Sequence, residues 1–444
     1  MAKGGMAVEA RIAGPEIANT SPVEVRIRSL SSDGSGVGDL PEGPVVFVHR
    51  TAPNDRVRVV VQKKKARWAR ARLREILEPS GDRISPPCPH YHACGGCTLQ
   101  HIPYESQLRW KGQFVADALT RIGGLEETAP EVHASPEQLG YRSRVTFTLL
   151  RVGGDRVVAG FHKIDAPGRV LDIPDACLIA DPRINRAWAA LRRSWGPGAR
   201  RLPGGRTLRL TLMASSEGVV LVVRGGRGKG DLESLLDAES GIVSVWRAGE
   251  HGPPLFVAGA KAVHDTRLGE SVWVGPGAFS QVNTAMGETL YEHLLAALPV
   301  PDGLRMIDAY CGTGIIARNL ARAGASVVGI EIDPAAVAIA LEKAPTGLEV
   351  LQGPVEELLG AALPADVAIL NPPRGGLAQS VPELLTQNPV ALLAYISCDP
   401  ATLARDLERL AGAYEVRQVL AFDMFPQTAH VETLVTLASR ENSD

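Results

Sequence analysis

The stretch Ala394-Tyr395-Ile396-Ser397-Cys398-Asp399-Pro400 puts one cysteine where an apolar run, Val390 to Ile396, gives way to a helical pattern, Thr402 to Leu410. At the carboxyl end of a buried strand and beside a helix N-terminus, the helix dipole and free backbone N–H groups favour a thiolate. Cys398 is therefore a candidate nucleophile; the competing reading is a small core residue at a strand end. A second reactive stretch is Met306-Ile307-Asp308-Ala309-Tyr310-Cys311-Gly312-Thr313-Gly314, a strand that runs into a glycine turn and then the helical pattern Ile315 to Ala323. Glycines let a backbone approach a ligand closely, and Glu331, closing the next strand, can accept hydrogen bonds from ribose hydroxyls. The third glycine of the dinucleotide fingerprint is missing, and Asp308 stands just before the turn. A carboxylate there suits a cationic amino-acid cofactor better than a pyrophosphate, so S-adenosylmethionine fits these residues better than NAD.

Two further groups carry chemistry. Asn371-Pro372-Pro373-Arg374-Gly375-Gly376 follows another predicted strand, and its two prolines hold an Asn amide where it can donate to and accept from a planar ring. Read blandly, it is a proline-stopped strand. Cys88-x5-Cys94-x2-Cys97, with Pro87, Pro89, Gly95 and Gly96 around it, supplies three thiolates on a tight loop, and Cys177 is a distant fourth. Four thiolates suit a structural zinc or an iron–sulfur cluster. Zinc ligands more often come as two close pairs, so three plus one favours [4Fe–4S]. A radical enzyme would leave one iron open, whereas four thiolates close the cluster and point to a structural or RNA-contacting role.

The elements that must position these groups follow from length and pattern. A chain of 444 residues suggests about two to four domains, and 45% hydrophobic with 22% charged residues is an ordinary globular composition. No apolar run approaches the roughly 20 residues of a membrane helix, and the first residues lack the stretch of a signal peptide, so a cytoplasmic location is expected. Six cysteines are too few for a disulfide scaffold. The net charge of -2 hides nine basic residues and no acidic one between Arg56 and Arg74. A solvated face is one explanation of such a run. Trp68 within it offers a stacking surface among phosphate-binding cations, which favours single-stranded nucleic acid as partner.

Residues 1–21 read as a flexible tail. Residues 22–80 show short β-like runs (Val23 to Ile27, Pro44 to Val48, Val57 to Val61, Arg67 to Ile76) separated by turn clusters, which predicts a five-stranded OB-like barrel. Residues 81–265 hold the cysteine loop, a helix at about Tyr104 to Ile122, and a mixed region with strands Val145 to Leu150, Thr207 to Met213 and Val219 to Arg224. Residues 266–444 alternate strand, glycine turn and helix, with strands at Arg305 to Asp308, Ser326 to Ile330, Val367 to Leu370, Leu392 to Ser397 and Thr433 to Leu437. That alternation predicts a doubly wound parallel sheet.

Together these residues resemble the RNA uracil-5-methyltransferase family, most closely its members that modify uridine in 23S ribosomal RNA, over about residues 22 to 440. The barrel looks like a TRAM module. Cys88, Cys94, Cys97 and Cys177 match the family's [4Fe–4S] ligands, and Gly277-Ala278-Phe279-Ser280-Gln281-Val282-Asn283 matches its G-x-F-x-Q-x-N motif. Ser397-Cys398-Asp399-Pro400 matches the nucleophile motif, and His430-Val431-Glu432-Thr433 the segment carrying the general base. The resemblance implies an α/β fold, a Rossmann-like class I methyltransferase domain joined to the barrel through a central α+β iron–sulfur domain. It implies an S-adenosylmethionine pocket built from Gln281, Tyr310, Gly312, Glu331 and Asn371, an RNA partner, no membrane, and a monomer. It also implies the reaction: Cys398 adds to carbon 6 of uracil, the ring is methylated at carbon 5, and Glu432 removes the proton left there. Because the target atom is hidden in stacked or paired RNA, the base must be splayed into the pocket. Arg142 is a further phosphate-binding candidate.

The chain departs from the family at three places. Asn371 stands where the family usually has Asp, which keeps cytosine open beside uracil, since an amide can meet either ring edge. Ile315 replaces a polar residue after the glycine turn, and an expected Asn-rich helix reads Ala338-Ile339-Ala340-Leu341-Glu342-Lys343. A non-catalytic iron–sulfur RNA-binding factor on the same fold is the alternative from another class.

Overall fold

A computed structural model describes residues 21–41, 43–126, 129–236, 239–250, 252–277, 281–299, 302–342 and 344–442. The expected tail, apart from residue 21, and three residues of the glutamine motif (278–280) lie outside them.

The barrel closes in the order Val23–Leu30, Gly36–Asp39, Val45–Val48, Trp68–Glu78, Arg56–Lys64. Alternation explains its core: Val25, Ile27, Val57, Val59, Ala69 and Ala71 point inward and are buried, while the residues between them face out. One strand, Gly36–Asp39, does not show in the sequence, because its glycines read as part of a turn. They are there for close approach: a Cβ on Gly38 would stand 2.5 Å from Val25 Cγ1 and 2.6 Å from the Arg26 carbonyl oxygen. The basic run proves unevenly available. Arg56 pairs with Glu24 and Glu78, and Arg58 with Glu24 and Glu75. The cations left for phosphate cluster toward the hairpin tip, where Lys63 lies 5.4 Å over the Trp68 ring.

The central region contains a seven-stranded sheet ordered Leu255–Gly259, Ile242–Ala248, Gly218–Arg224, Thr207–Ser215, Arg144–Gly153, Arg156–His162, Val170–Asp172. One face packs on the helix Pro182–Ser194, whose Trp188 stacks on Phe147 with centroids 3.8 Å apart. The third sheet has eight strands: Leu348–Gln352, Ser326–Glu331, Arg305–Ala309, Val367–Leu370, Leu392–Ser397, Glu432–Ser439, Tyr414–Phe422, Val132–His133. The first five are parallel, and Glu432–Ser439 then runs antiparallel to Leu392–Ser397. Strand order reverses between Arg305–Ala309 and Val367–Leu370. A crevice therefore opens at their carboxyl ends, where Tyr310 to Gly312 and Asn371 emerge. Among the described residues no helix is long and apolar enough to cross a membrane.

Residues of the central region enter this third sheet. Val132–His133 adds its edge strand, pairing Ala421 and Phe422, and the helix Tyr104–Arg121 packs on Pro400–Leu410. Lys111 of that helix makes a fully buried ion pair with Asp423 and donates to the Phe425 carbonyl at 3.1 Å. Burial pushes the Lys111 ammonium's pKa down and Asp423 opposes the shift. Asp423→Ala should therefore leave an unpaired buried cation and cost about 3–5 kcal/mol in urea unfolding, while Lys111→Met with Asp423→Leu should recover most of it.

Candidate active site

The glycine turn is built from left-handed backbone: Tyr310 has φ 63°, Gly312 φ 56° and Gly314 φ 73°. For a tyrosine that conformation costs about 1 kcal/mol or more, and the surroundings must hold it. Glu331 does part of the holding. Its carboxylate accepts from the Gly312 amide at 2.9 Å and from the Asp333 amide at 2.8 Å, so its first task is to pin the turn. Gln281, Tyr310, Gly312 and Asn371 line the crevice, together with Asp308 and Tyr291. Asp308 is 3% exposed and accepts from the Ala317 amide at 3.1 Å. Burial, and more weakly the charge of Glu331, push its carboxyl up to about 7. A cationic group entering the crevice would restore its ionised form. Gln281 packs against Gly287, where a Cβ would approach Gln281 Cβ to 2.9 Å. Asn283 caps the helix Thr284–Ala297 through the Met286 amide and donates to Ser135 Oγ at 2.9 Å.

Cys398 follows the strand Leu392–Ser397 directly. The antiparallel register ends with Ser397 paired to Thr433, so Cys398 and Glu432 are the next residues of their two chains at that end, and the charge of Glu432 acts on the thiol. The helix-terminus argument for a thiolate does not hold here. Asp399 is the N-cap of Pro400–Leu410, and its carboxylate takes the amides of Ala401 and Thr402 at 2.9 and 3.0 Å, the donors a thiolate would have used. Burial, and then the charge of Glu432, push the thiol's pKa up; Arg374 opposes through its charge and a hydrogen bond. Glu432 is 3% exposed, and burial pushes its carboxyl up to about 8 against the same arginine.

Arg374 thus serves both reactive groups, and the sequence reading left it out of the site. The signal was present: it is the one cation in the loop Asn371 to Gly376, at the carboxyl edge of the sheet. Tyr291 was also missed, because its helix carries no motif. It lines the crevice, and the charges of both Asp308 and Glu432 act on it, pushing its hydroxyl's pKa up after burial has done most of the work.

Cys88, Cys94, Cys97 and Cys177 line one cavity of about 320 Å³, with Tyr91, Arg142 and Thr146 in its wall. Burial pushes Cys97 up to about 12 and Cys177 to about 11, with neighbouring cysteines adding to both shifts. Among the described residues no three His, Cys, Asp or Glu side chains are gathered at the spacing of a single ion site. The four cysteines stand around the cavity wall. Arg50, which nothing in the sequence marked, reaches from the barrel to donate to the carbonyls of Cys94 and Cys97 and stacks over Tyr91 at 3.8 Å. Arg142, the phosphate candidate, donates to the Arg144 carbonyl at 3.1 Å.

Comparison with known proteins places the chain among RNA methyltransferases. Residues 362–440 match the tRNA (uracil-5-)-methyltransferase family model, 306–374 a methyltransferase domain, and 20–73 a TRAM domain. An RNA methyltransferase of Thermosynechococcus vestitus is 35% identical, covering 94% of this chain and 98% of its own. The 23S rRNA (uracil(1939)-C(5))-methyltransferase RlmD of Chromohalobacter salexigens is 34% identical over 93% of this chain and 88% of its own. In fold, the chain resembles the Pyrococcus abyssi tRNA (uracil-54, C5)-methyltransferase crystallised with S-adenosyl-L-homocysteine: TM-score 0.75, 24% identity, covering 94% and 100% of the two chains. A class I methyltransferase sheet preceded by a TRAM barrel, with full-length relatives at this identity, assigns the chain to the RNA uracil-5-methyltransferase family.

Proposed function

We propose that this protein methylates carbon 5 of a uridine in RNA, with 23S ribosomal RNA as substrate, through a covalent adduct between Cys398 and carbon 6. The observation that supports the reading is the neighbouring pair Cys398 and Glu432, with Arg374 acting on both, beside a crevice that Asp308 helps to line. S-adenosylmethionine, bound in that crevice, supplies an electrophilic methyl group; Asp308 suits its ammonium, and Tyr310, Gly312 and Gln281 its remaining surface. Cys398 attacks carbon 6 as a thiolate and makes carbon 5 nucleophilic. After methylation Glu432 takes the proton from carbon 5, and the thiolate leaves. Arg374 favours the anionic form of each group in turn. Asn371, at the crevice edge, faces the base and is consistent with uracil when its carbonyl accepts from N3–H.

The barrel over residues 22–80 grips RNA backbone, residues 81–265 support the cysteine cavity and the bound strand, and residues 266–444 carry the chemistry. A [4Fe–4S] cluster would be held by Cys88, Cys94, Cys97 and Cys177; what supports it is that all four thiols line one cavity of about 320 Å³. The protein purified without oxygen should contain about four iron and four sulfide per chain. Zinc at one equivalent would replace the cluster in this reading.

Mass spectrometry of ribosomal RNA from cells with and without the protein tests the function. Loss of one or more 5-methyluridines is the expected result. Loss of 5-methylcytidine would transfer the activity to cytosine, through Asn371, and no change in any methylated base would favour the non-catalytic factor.

A further inference from the structure

The outer face of the seven-stranded sheet, opposite the helix Pro182–Ser194, is partly covered, where Met213, Val220, Val222 and Trp246 pack with Val263 and Val274, and partly open, where Arg209 is exposed. Along Thr207–Ser215, Leu208, Leu210 and Leu212 point into the core, and Thr207, Arg209 and Thr211 point out. Register aligns these outward residues across neighbouring strands. Arg209 stands directly opposite Arg224, and in the next row Thr146 meets Thr211, then Val222, Trp246 and Phe256.

Two arginines facing each other across adjacent strands repel, and this is disfavoured unless something else uses the charge. Arg209 is exposed, and among the described residues no acidic side chain pairs with it or with Arg224, whose one bond is to the Gly249 carbonyl at 3.3 Å. Beside them lies an aromatic group. Phe256 is 36% exposed and meets Trp246 edge-on at 5.4 Å; Trp246 meets Trp273 at 6.2 Å. The row from Thr146 to Phe256 crosses five strands, about 19 Å at the usual strand spacing, and its two ends stay open while Val222 between them is buried against Val263. Its near end is continuous with the site: Thr146 lines the cysteine cavity, and Arg144, next but one, donates to the Gly275 carbonyl in the segment leading to Gln281.

We propose that the open part of this face binds a single-stranded stretch of the substrate RNA flanking the target nucleotide, with Arg209 and Arg224 on phosphates and Phe256, backed by Trp246, stacking a base. Paired cations beside an exposed ring are what a strand with a charged backbone and flat bases needs. The inference rests on the RNA-methylating reading above and extends it to where the rest of the strand lies.

The test uses the full chain and a fluorescently labelled single-stranded polyuridine oligomer. Arg209→Ala with Arg224→Ala should weaken binding at least tenfold and flatten the plot of log affinity against log salt by about 1.4, two phosphates at 0.7 each. Phe256→Ala, at an exposed position, should weaken binding about fivefold or more and lose a photo-crosslink to uridine that the parent forms. With ribosomal RNA transcripts the same variants should raise KM and leave kcat unchanged. Unchanged affinity, salt slope and crosslinking in variants with parent-like circular dichroism would overturn the proposal and leave the face to a protein partner. A parent chain that binds the oligomer through this face but methylates no RNA would refute the methyltransferase reading instead.

Discussion

Cys398→Ala is expected to lower methyl transfer by at least 10⁴-fold while RNA affinity stays within about twofold. The size of the effect follows from the chemistry, because carbon 5 of uracil is a poor nucleophile until something adds at carbon 6, and Cys398 is the thiol on which the charge of Glu432 acts. Cys311 lines the crevice but sits on the glycine turn, with its thiol pKa pushed up by burial and by Asp308. RNA containing 5-fluorouridine gives a separate readout. Fluorine in place of the carbon 5 hydrogen cannot leave as a proton, so the parent enzyme should stall as a covalent adduct that survives denaturing gels. Cys398→Ala should form none. A parent enzyme that methylates ordinary RNA yet never yields the adduct would remove the covalent step.

What the sequence shows plainly is local. The glycine turn, the Asn371 loop and the cysteine at a strand end are each contained in a few residues, and each lies where the pattern places it: at carboxyl ends of parallel strands. Pairings were hidden. That Cys398 comes near Glu432 depends on the antiparallel register of two strands, and that Asp399 takes the helix amides depends on one side-chain rotamer. The strands Leu348–Gln352 and Tyr414–Phe422 escaped notice for a related reason. The first is a half-exposed edge carrying Glu349 and Gln352, and the second breaks its alternation at a bulge between Val416 and Gln418. The arginine pair on the outer face of the central sheet is likewise invisible along the chain, since Arg209 and Arg224 become neighbours only in the hairpin.

Glu432→Gln should separate the two halves of the reaction. The variant keeps Cys398 and the crevice, so attack and methylation can proceed, but an amide cannot take the carbon 5 proton at a useful rate. Methylated RNA should then accumulate bound to protein through Cys398, with turnover reduced about 10³-fold and denaturing gels showing the adduct on unmodified RNA substrate. In the parent, burial pushes the Glu432 carboxyl up to about 8, so at neutral pH most molecules carry it protonated. Turnover should rise with pH through that value, and Cys398, also shifted up, adds to the same slope. Stability runs the other way. A carboxyl whose folded pKa lies above its ordinary 4.5 favours the folded state fully below 4.5, and that contribution is lost as pH rises through about 8. The loss is at most about 5 kcal/mol at 1.36 kcal/mol per pH unit. Glu432→Gln removes the titration, so above pH 8 the variant should unfold at higher urea concentration than the parent, with the gap closing as pH falls toward 5. Equal unfolding midpoints across that range would mean that Glu432 is already ionised in the free enzyme. The base would then owe its readiness to Arg374 and to water, with burial counting for little.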